Sequence, residues 1–166
     1  MKKLAMAVTC LLLLSPAAWA GAYVGGSIGQ ADADSGGDGS SWKVLGGFTF
    51  AQYMGVEASY RDLGGDSQTI GTTELGYDAS SMDVFGVGRL ELGEKFGVFA
   101  KAGLAFIDVE AWVTDPLLGT ISTSDSESEF AYGVGFDYSL GEKFALRGEY
   151  ESLEFDVISL GGVFRF

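Results

Sequence analysis

The chain has 166 residues, a formal net charge of −13, 26 glycines, two prolines and no histidine. So acidic a sequence is unsuited to binding nucleic-acid phosphates, and its glycines and aromatics favour strands and turns over helices. Its single cysteine, Cys10, lies in a leader-like N-terminus, so the rest of the chain has no disulfides.

Met1-Lys2-Lys3 is a short basic region, and Leu4 to Leu14 is an apolar run that Ser15-Pro16 breaks. Ala18 and Ala20 then supply small residues at the −3 and −1 positions of a cleavage site before Gly21. This pattern predicts a secretory signal peptide over residues 1–20 and one domain over residues 21–166. The apolar run falls well short of the roughly 20 residues that a spanning helix needs. Cys10 follows Thr9 rather than a small residue, which disfavours lipid attachment.

Eight strands are predicted in order from a period of two in apolar character. The first is Ala22–Gln30, with Ala22, Val24, Gly26 and Ile28 on one face. In the second, Ser41–Phe50, Trp42, Val44, Phe48 and Phe50 oppose Lys43 and Leu45. The third, Tyr53–Asp62, sets Met54, Val56 and Tyr60 against Glu57 and Arg61. The fourth, Ser81–Leu92, sets Met82, Val84 and Leu90 against Asp83, Arg89 and Glu91, with Phe85 and Val87 suiting either side. The fifth, Lys95–Asp108, lines Phe96, Val98, Leu104 and Phe106 opposite Lys101. The sixth alternates Phe130, Tyr132, Val134, Phe136 and Tyr138 with Gly133, Gly135 and Asp137. The seventh, Lys143–Glu151, opposes Phe144, Leu146 and Tyr150 to Arg147, Glu149 and Glu151. The eighth, Asp156–Phe166, carries Ile158, Leu160, Phe164 and Phe166 on one face and Arg165 on the other.

Short connections at Ala51-Gln52, Gly93-Glu94 and Gly141-Glu142 alternate with long ones over 31–40, 63–80 and 109–129 and a tighter one near 152–156. That alternation predicts an up-and-down antiparallel barrel rather than a Greek-key sandwich. Within the strands, Lys43, Arg61, Arg89, Lys101, Arg147 and Arg165 share a face with Glu57, Asp83, Glu91, Asp137, Glu149 and Glu151. The opposite face is apolar and uncharged. A soluble, lipocalin-like barrel would carry its charges outside, whereas a transmembrane barrel puts lipid outside and polar groups within. The prediction is therefore an all-β, eight-stranded transmembrane barrel whose twelve charges pair across the lumen. Arg165 is expected to reach Glu57, Asp137 or Glu149.

The YVGGSIG opening, the repeated LGEKF turns at 92–96 and 140–144 and the GGVFRF ending resemble the small eight-stranded outer-membrane barrels. That family includes the outer-membrane protein A transmembrane domain, and the likeness covers essentially the whole mature chain. It implies a location in the outer membrane, contact with lipid and lipopolysaccharide, and a monomer. It also implies that Ile158, Leu160, Phe164 and Phe166 act as the signal read by the barrel-assembly machinery, with Gly162 departing from the pattern.

Eight strands leave a lumen that side chains can fill, so a structural or surface-interaction role is expected, with a small or gated channel as the alternative. Without histidine, and without cysteine after the leader, the usual catalytic bases and nucleophiles are missing, and no enzyme, cofactor or metal is expected. Glu149 and Glu151 are read as network members rather than a glycosidase pair. The long connections hold the remaining acids and no lysine or arginine, an acidic crown suited to cations or basic partners. Residues 34–39 faintly resemble a calcium loop, but Leu45 stands where the bidentate glutamate belongs.

Overall fold

The computed structural model describes residues 21–33, 37–70, 73–115, 119–153 and 156–166. The predicted signal peptide with Ala18 and Ala20, and residues 34–36 of the calcium-like stretch at 34–39, lie outside them. Eight strands follow in order: β1 (Ala22–Ala33), β2 (Gly37–Ala51), β3 (Met54–Ile70), β4 (Thr73–Glu91), β5 (Phe96–Asp115), β6 (Gly119–Ser139), β7 (Phe144–Ser152) and β8 (Asp156–Arg165). Each pairs antiparallel with its neighbour, and β1 pairs with β8 to close the barrel. Among the described residues no helix is long and apolar enough to cross a membrane.

Alternation sorts the side chains as the period of two requires. Ile28, Val44, Val84, Leu104, Phe130, Val134, Ile158 and Leu160 are exposed on the outer wall, while Lys43, Glu57, Arg61, Asp83, Lys101, Asp137, Arg147, Glu149 and Glu151 are buried within. In water this would be an inside-out protein. In lipid it is the arrangement in which apolar groups meet hydrocarbon and every backbone polar group is paired along a closed sheet. Phe85 and Val87, ambiguous in sequence, turn inward and join Phe99, Ala105, Ile107 and Ala131 in an apolar sector of the lumen.

The three long connections are largely strand rather than loop, and in the first, residues 31–33 pair with 37–39 at the ends of β1 and β2. Residues 63–80 and 109–129, apart from 71–72 and 116–118, continue their strands as paired arms. Pairing of β2 with β3 stops at Trp42↔Asp62, and pairing of β6 with β7 begins at Tyr132↔Ser152. Beyond those points β3, β4, β5 and β6 carry on as one sheet, with β4 and β5 in register out to Glu74↔Thr114, while β1 and β2 continue as a shorter pair to Ala33↔Gly37. A four-stranded sheet thus projects from one end of the barrel. A register shift between Asp62 and Gly65 bends it at the rim, where Gly64 takes φ +75° and its amide donates to Asp62 Oδ1 at 2.8 Å. A side chain at Gly64 would be strained in that conformation.

Glycines elsewhere receive aromatic rings. Tyr23 lies against Gly47, Phe99 against Gly135, Phe136 against Gly148 and Trp112 against Gly76, each ring within 2.6 Å of where a Cβ would stand. All four are directly opposed cross-strand pairs. Each ring needs its glycine, so these four pairs fix register between strands whose sequences otherwise alternate monotonously.

Candidate functional site

The lumen is filled by side chains that the pleat aims inward from all eight strands. At its centre Lys101 on β5 lies 2.9 Å from Glu57 Oε1, 3.0 Å from Glu149 Oε1 and 2.8 Å from Glu151 Oε1. Lys43 bonds Glu149 and lies 2.9 Å from Glu151 Oε2. Toward the projecting sheet, Arg61 bonds Glu151 and lies 3.9 Å from Asp83, whose Oδ2 accepts from Ser59 Oγ at 3.0 Å. Toward the short turns, Arg147 donates from Nε to Asp137 Oδ1 and from Nη1 to Glu57 Oε2, both at 2.8 Å. Arg89 and Arg165 complete that layer, 3.1 and 3.0 Å from Asp137 Oδ2.

The network is a continuous chain, since Glu57, Glu149 and Glu151 each serve more than one cation. Burial explains the sharing. An unpaired charge out of water costs several kcal/mol, so each carboxylate must be met by as many donors as geometry allows. Rings complete the packing: Lys101 Nζ sits 4.7 Å from the centre of Phe85, and the Arg147 guanidinium sits 4.5 Å from Phe99 and 5.3 Å from Tyr23. Tyr23 also donates its hydroxyl to Glu57 Oε2 at 3.0 Å. Tyr23 was missed as a lumen residue, although its alternation with Gly25 and Ser27 carries that information.

Eleven of the twelve charged residues expected in the lumen meet there in ion pairs. Glu91 is the correction. It is the last residue of β4 and exposed, with its carboxylate over Gly97 rather than in an ion pair among the described residues. Its pleat direction is inward, but at the strand end the lumen is already open to water, and a lone carboxylate stays hydrated there. Of the three partners expected for Arg165, Asp137 is the one it reaches.

On β8, Ile158, Leu160, Phe164 and Phe166 all face outward, and the last two rings meet edge to face at 5.3 Å. The interruption at Gly162 has a steric origin: the Phe144 ring lies 2.9 Å from where its Cβ would be. On the projecting sheet, Asp78, Asp108, Glu110, Asp125 and Glu127 are exposed, and Asp78 stands directly opposite Glu110. Among the described residues no cluster of three or more potential ligands could hold a metal ion.

The family model described as outer membrane protein beta-barrel domain matches residues 4–164. Among solved structures, Ail, the attachment invasion locus protein of Yersinia pestis in complex with the heparin analogue sucrose octasulfate, aligns at 18% identity with a TM-score of 0.61. That alignment covers 88% of this chain and 97% of that one. Neisserial surface protein A aligns at 13% identity and TM-score 0.64, over 87% of this chain and 96% of that one. The N-terminal barrel of Pseudomonas aeruginosa OprF aligns at 12% identity and TM-score 0.58, over 87% and 97%. No curated protein sequence matches.

Proposed function

The chain belongs to the outer membrane protein beta-barrel domain family, and from that premise we propose that it is a closed barrel serving surface interaction rather than transport. The short turns and both strand termini then face the periplasm, and the projecting sheet of β3 to β6 faces outward. The observation that carries this reading is the asymmetry of charge. Every charge deep in the lumen is paired, while the arms over 63–80 and 108–129 hold carboxylates and no lysine or arginine. A filled lumen opposes solute flow, and an unneutralised acidic sheet above the membrane attracts cations and basic surfaces.

The likeness to an attachment protein and a surface protein supports the class of role. The partner differs in sign, because carboxylate-rich arms repel a polyanion such as sucrose octasulfate and favour a cationic surface. Lipopolysaccharide phosphates could be bridged to the arms through divalent cations. Assembly through the barrel-assembly machinery would read Ile158, Leu160, Phe164 and Phe166, and export would use residues 1–20 with cleavage after Ala20. The protein would act as a monomer.

Binding of the detergent-solubilised barrel to immobilised oligolysine tests the reading. Replacing Asp78, Asp108, Glu110, Asp125 and Glu127 by their amides should weaken binding at low salt by about tenfold or more. Unchanged binding contradicts it. The second reading, a narrow gated conductance, is favoured by Arg61, whose buried Nε and Nη1 lack hydrogen-bond partners and could exchange carboxylates.

A further inference from the structure

At the periplasmic mouth three guanidinium groups converge on one carboxylate. Arg147 holds Asp137 side-on, with Nε 2.8 Å from Oδ1 and Nη2 3.2 Å from Oδ2. Arg89 and Arg165 approach the same Oδ2 at 3.1 and 3.0 Å. Of the three, Arg147 has a further carboxylate at 2.8 Å, Glu57, which is itself shared with Lys101. The lumen network therefore holds six cations against five carboxylates, and the surplus positive charge sits here.

Arg89 Nη2 is buried and meets Asp137 Oδ2 at 3.1 Å as an ion pair outside hydrogen-bond geometry, and Arg165 Nε, also buried, makes no hydrogen bond within the protein. The side chains that carry them are 14% and 27% exposed, so the layer is reached from the water of the mouth. The groups are also held in place. Arg89 lies 5.5 Å from the centre of the Tyr23 ring and 5.9 Å from that of Phe99, and Arg165 Nη1 donates to Ser139 Oγ at 3.3 Å. The nearest further carboxylate along β4 is Glu91, two residues beyond Arg89 and exposed.

We propose that this mouth is a binding site for a small soluble oxyanion, a phosphate or a carboxylate, held by Arg89 and Arg165 beside Asp137. Paired guanidinium forks match the geometry of such anions, and one bound negative charge balances the network. The donors face the lumen, with the strand wall between them and lipid, which favours a solute over a lipid headgroup. Glu91 is placed to act as an internal competitor for the same donors.

The mature barrel, folded in a neutral maltoside detergent, is the material for the test. Replacing chloride by inorganic phosphate at constant ionic strength should raise its melting temperature with saturation. Arg89→Gln and Arg165→Gln should each raise the half-saturating phosphate concentration about tenfold, the effect of one charged hydrogen bond. Glu91→Gln, which removes no network contact, should lower it, so the proposal stays testable if the arginine variants fold poorly. No phosphate response in the natural sequence, or an equal one in all variants, overturns the proposal. So does a rise obtained by moving the barrel from phosphatidylcholine to phosphatidylglycerol vesicles without phosphate, since that would assign the site to lipid.

Discussion

Lumen and projecting sheet are both rich in carboxylates, yet they treat them in opposite ways. Inside, Glu57, Glu149 and Glu151 each meet two or more cations within 3.0 Å or closer, in a space from which water is largely excluded. Above the rim, Asp78 faces Glu110 across a strand pair, and Asp108 has Ser126 as its partner rather than a cation. Buried charge left unpaired is prohibitive, so the inner set is constrained by the fold. Hydrated charge is nearly free of that constraint, so the outer set is available for recognition. The contrast separates residues that specify the barrel from residues that face a partner.

The largest effect should come from breaking the centre of the lumen. Lys101→Met leaves Glu57, Glu149 and Glu151 short of a shared cation and should cost about 3–5 kcal/mol. Urea unfolding in detergent, followed by the heat-dependent shift on gels, measures it; a loss below about 1 kcal/mol would remove the distinction between the two sets. Next comes the same charge moved through the wall. Ala100 is adjacent to Lys101 but faces outward, and Ala100→Arg should cost about 2–4 kcal/mol near the bilayer midplane. Tolerance there in lipid vesicles would argue against a membrane-facing wall.

A steric test is smaller. A Cβ at Gly103 would stand 1.9 Å from the Val84 carbonyl oxygen, so Gly103→Ala should cost about 1–3 kcal/mol in the same unfolding assay. The smallest effect belongs to the projecting sheet. Glu110→Gln relieves a like-charge pair and should change stability by no more than about 1 kcal/mol, in the stabilising direction at low salt.

What was legible in the sequence follows the same division. Where one face of a strand meets lipid and the other a packed lumen, alternation is strict, and Phe130 to Tyr138 or Ile158 to Phe166 could be read directly. Both faces of the projecting sheet meet water, so Thr123 to Glu129 alternates serines with Asp125, Glu127 and Glu129, has no apolar face and reads as a loop. Its strand character comes from pairing with β5, such as Val109↔Asp125, which sequence spacing does not reveal. Glu91 had the right parity and the wrong depth, because parity gives direction but not distance from the rim. The convergence on Asp137 from β4, β7 and β8 was equally hidden, since it depends on strand tilt and closure.

Planar-bilayer recording of the purified, refolded barrel tests the central claim most directly. A lumen closed by Lys43, Glu57, Arg61, Lys101, Arg147, Glu149 and Glu151 predicts a membrane with no steady conductance, and brief narrow openings that become more frequent when Lys101 is replaced. A large, steady conductance from the natural sequence would show that the network does not close the barrel.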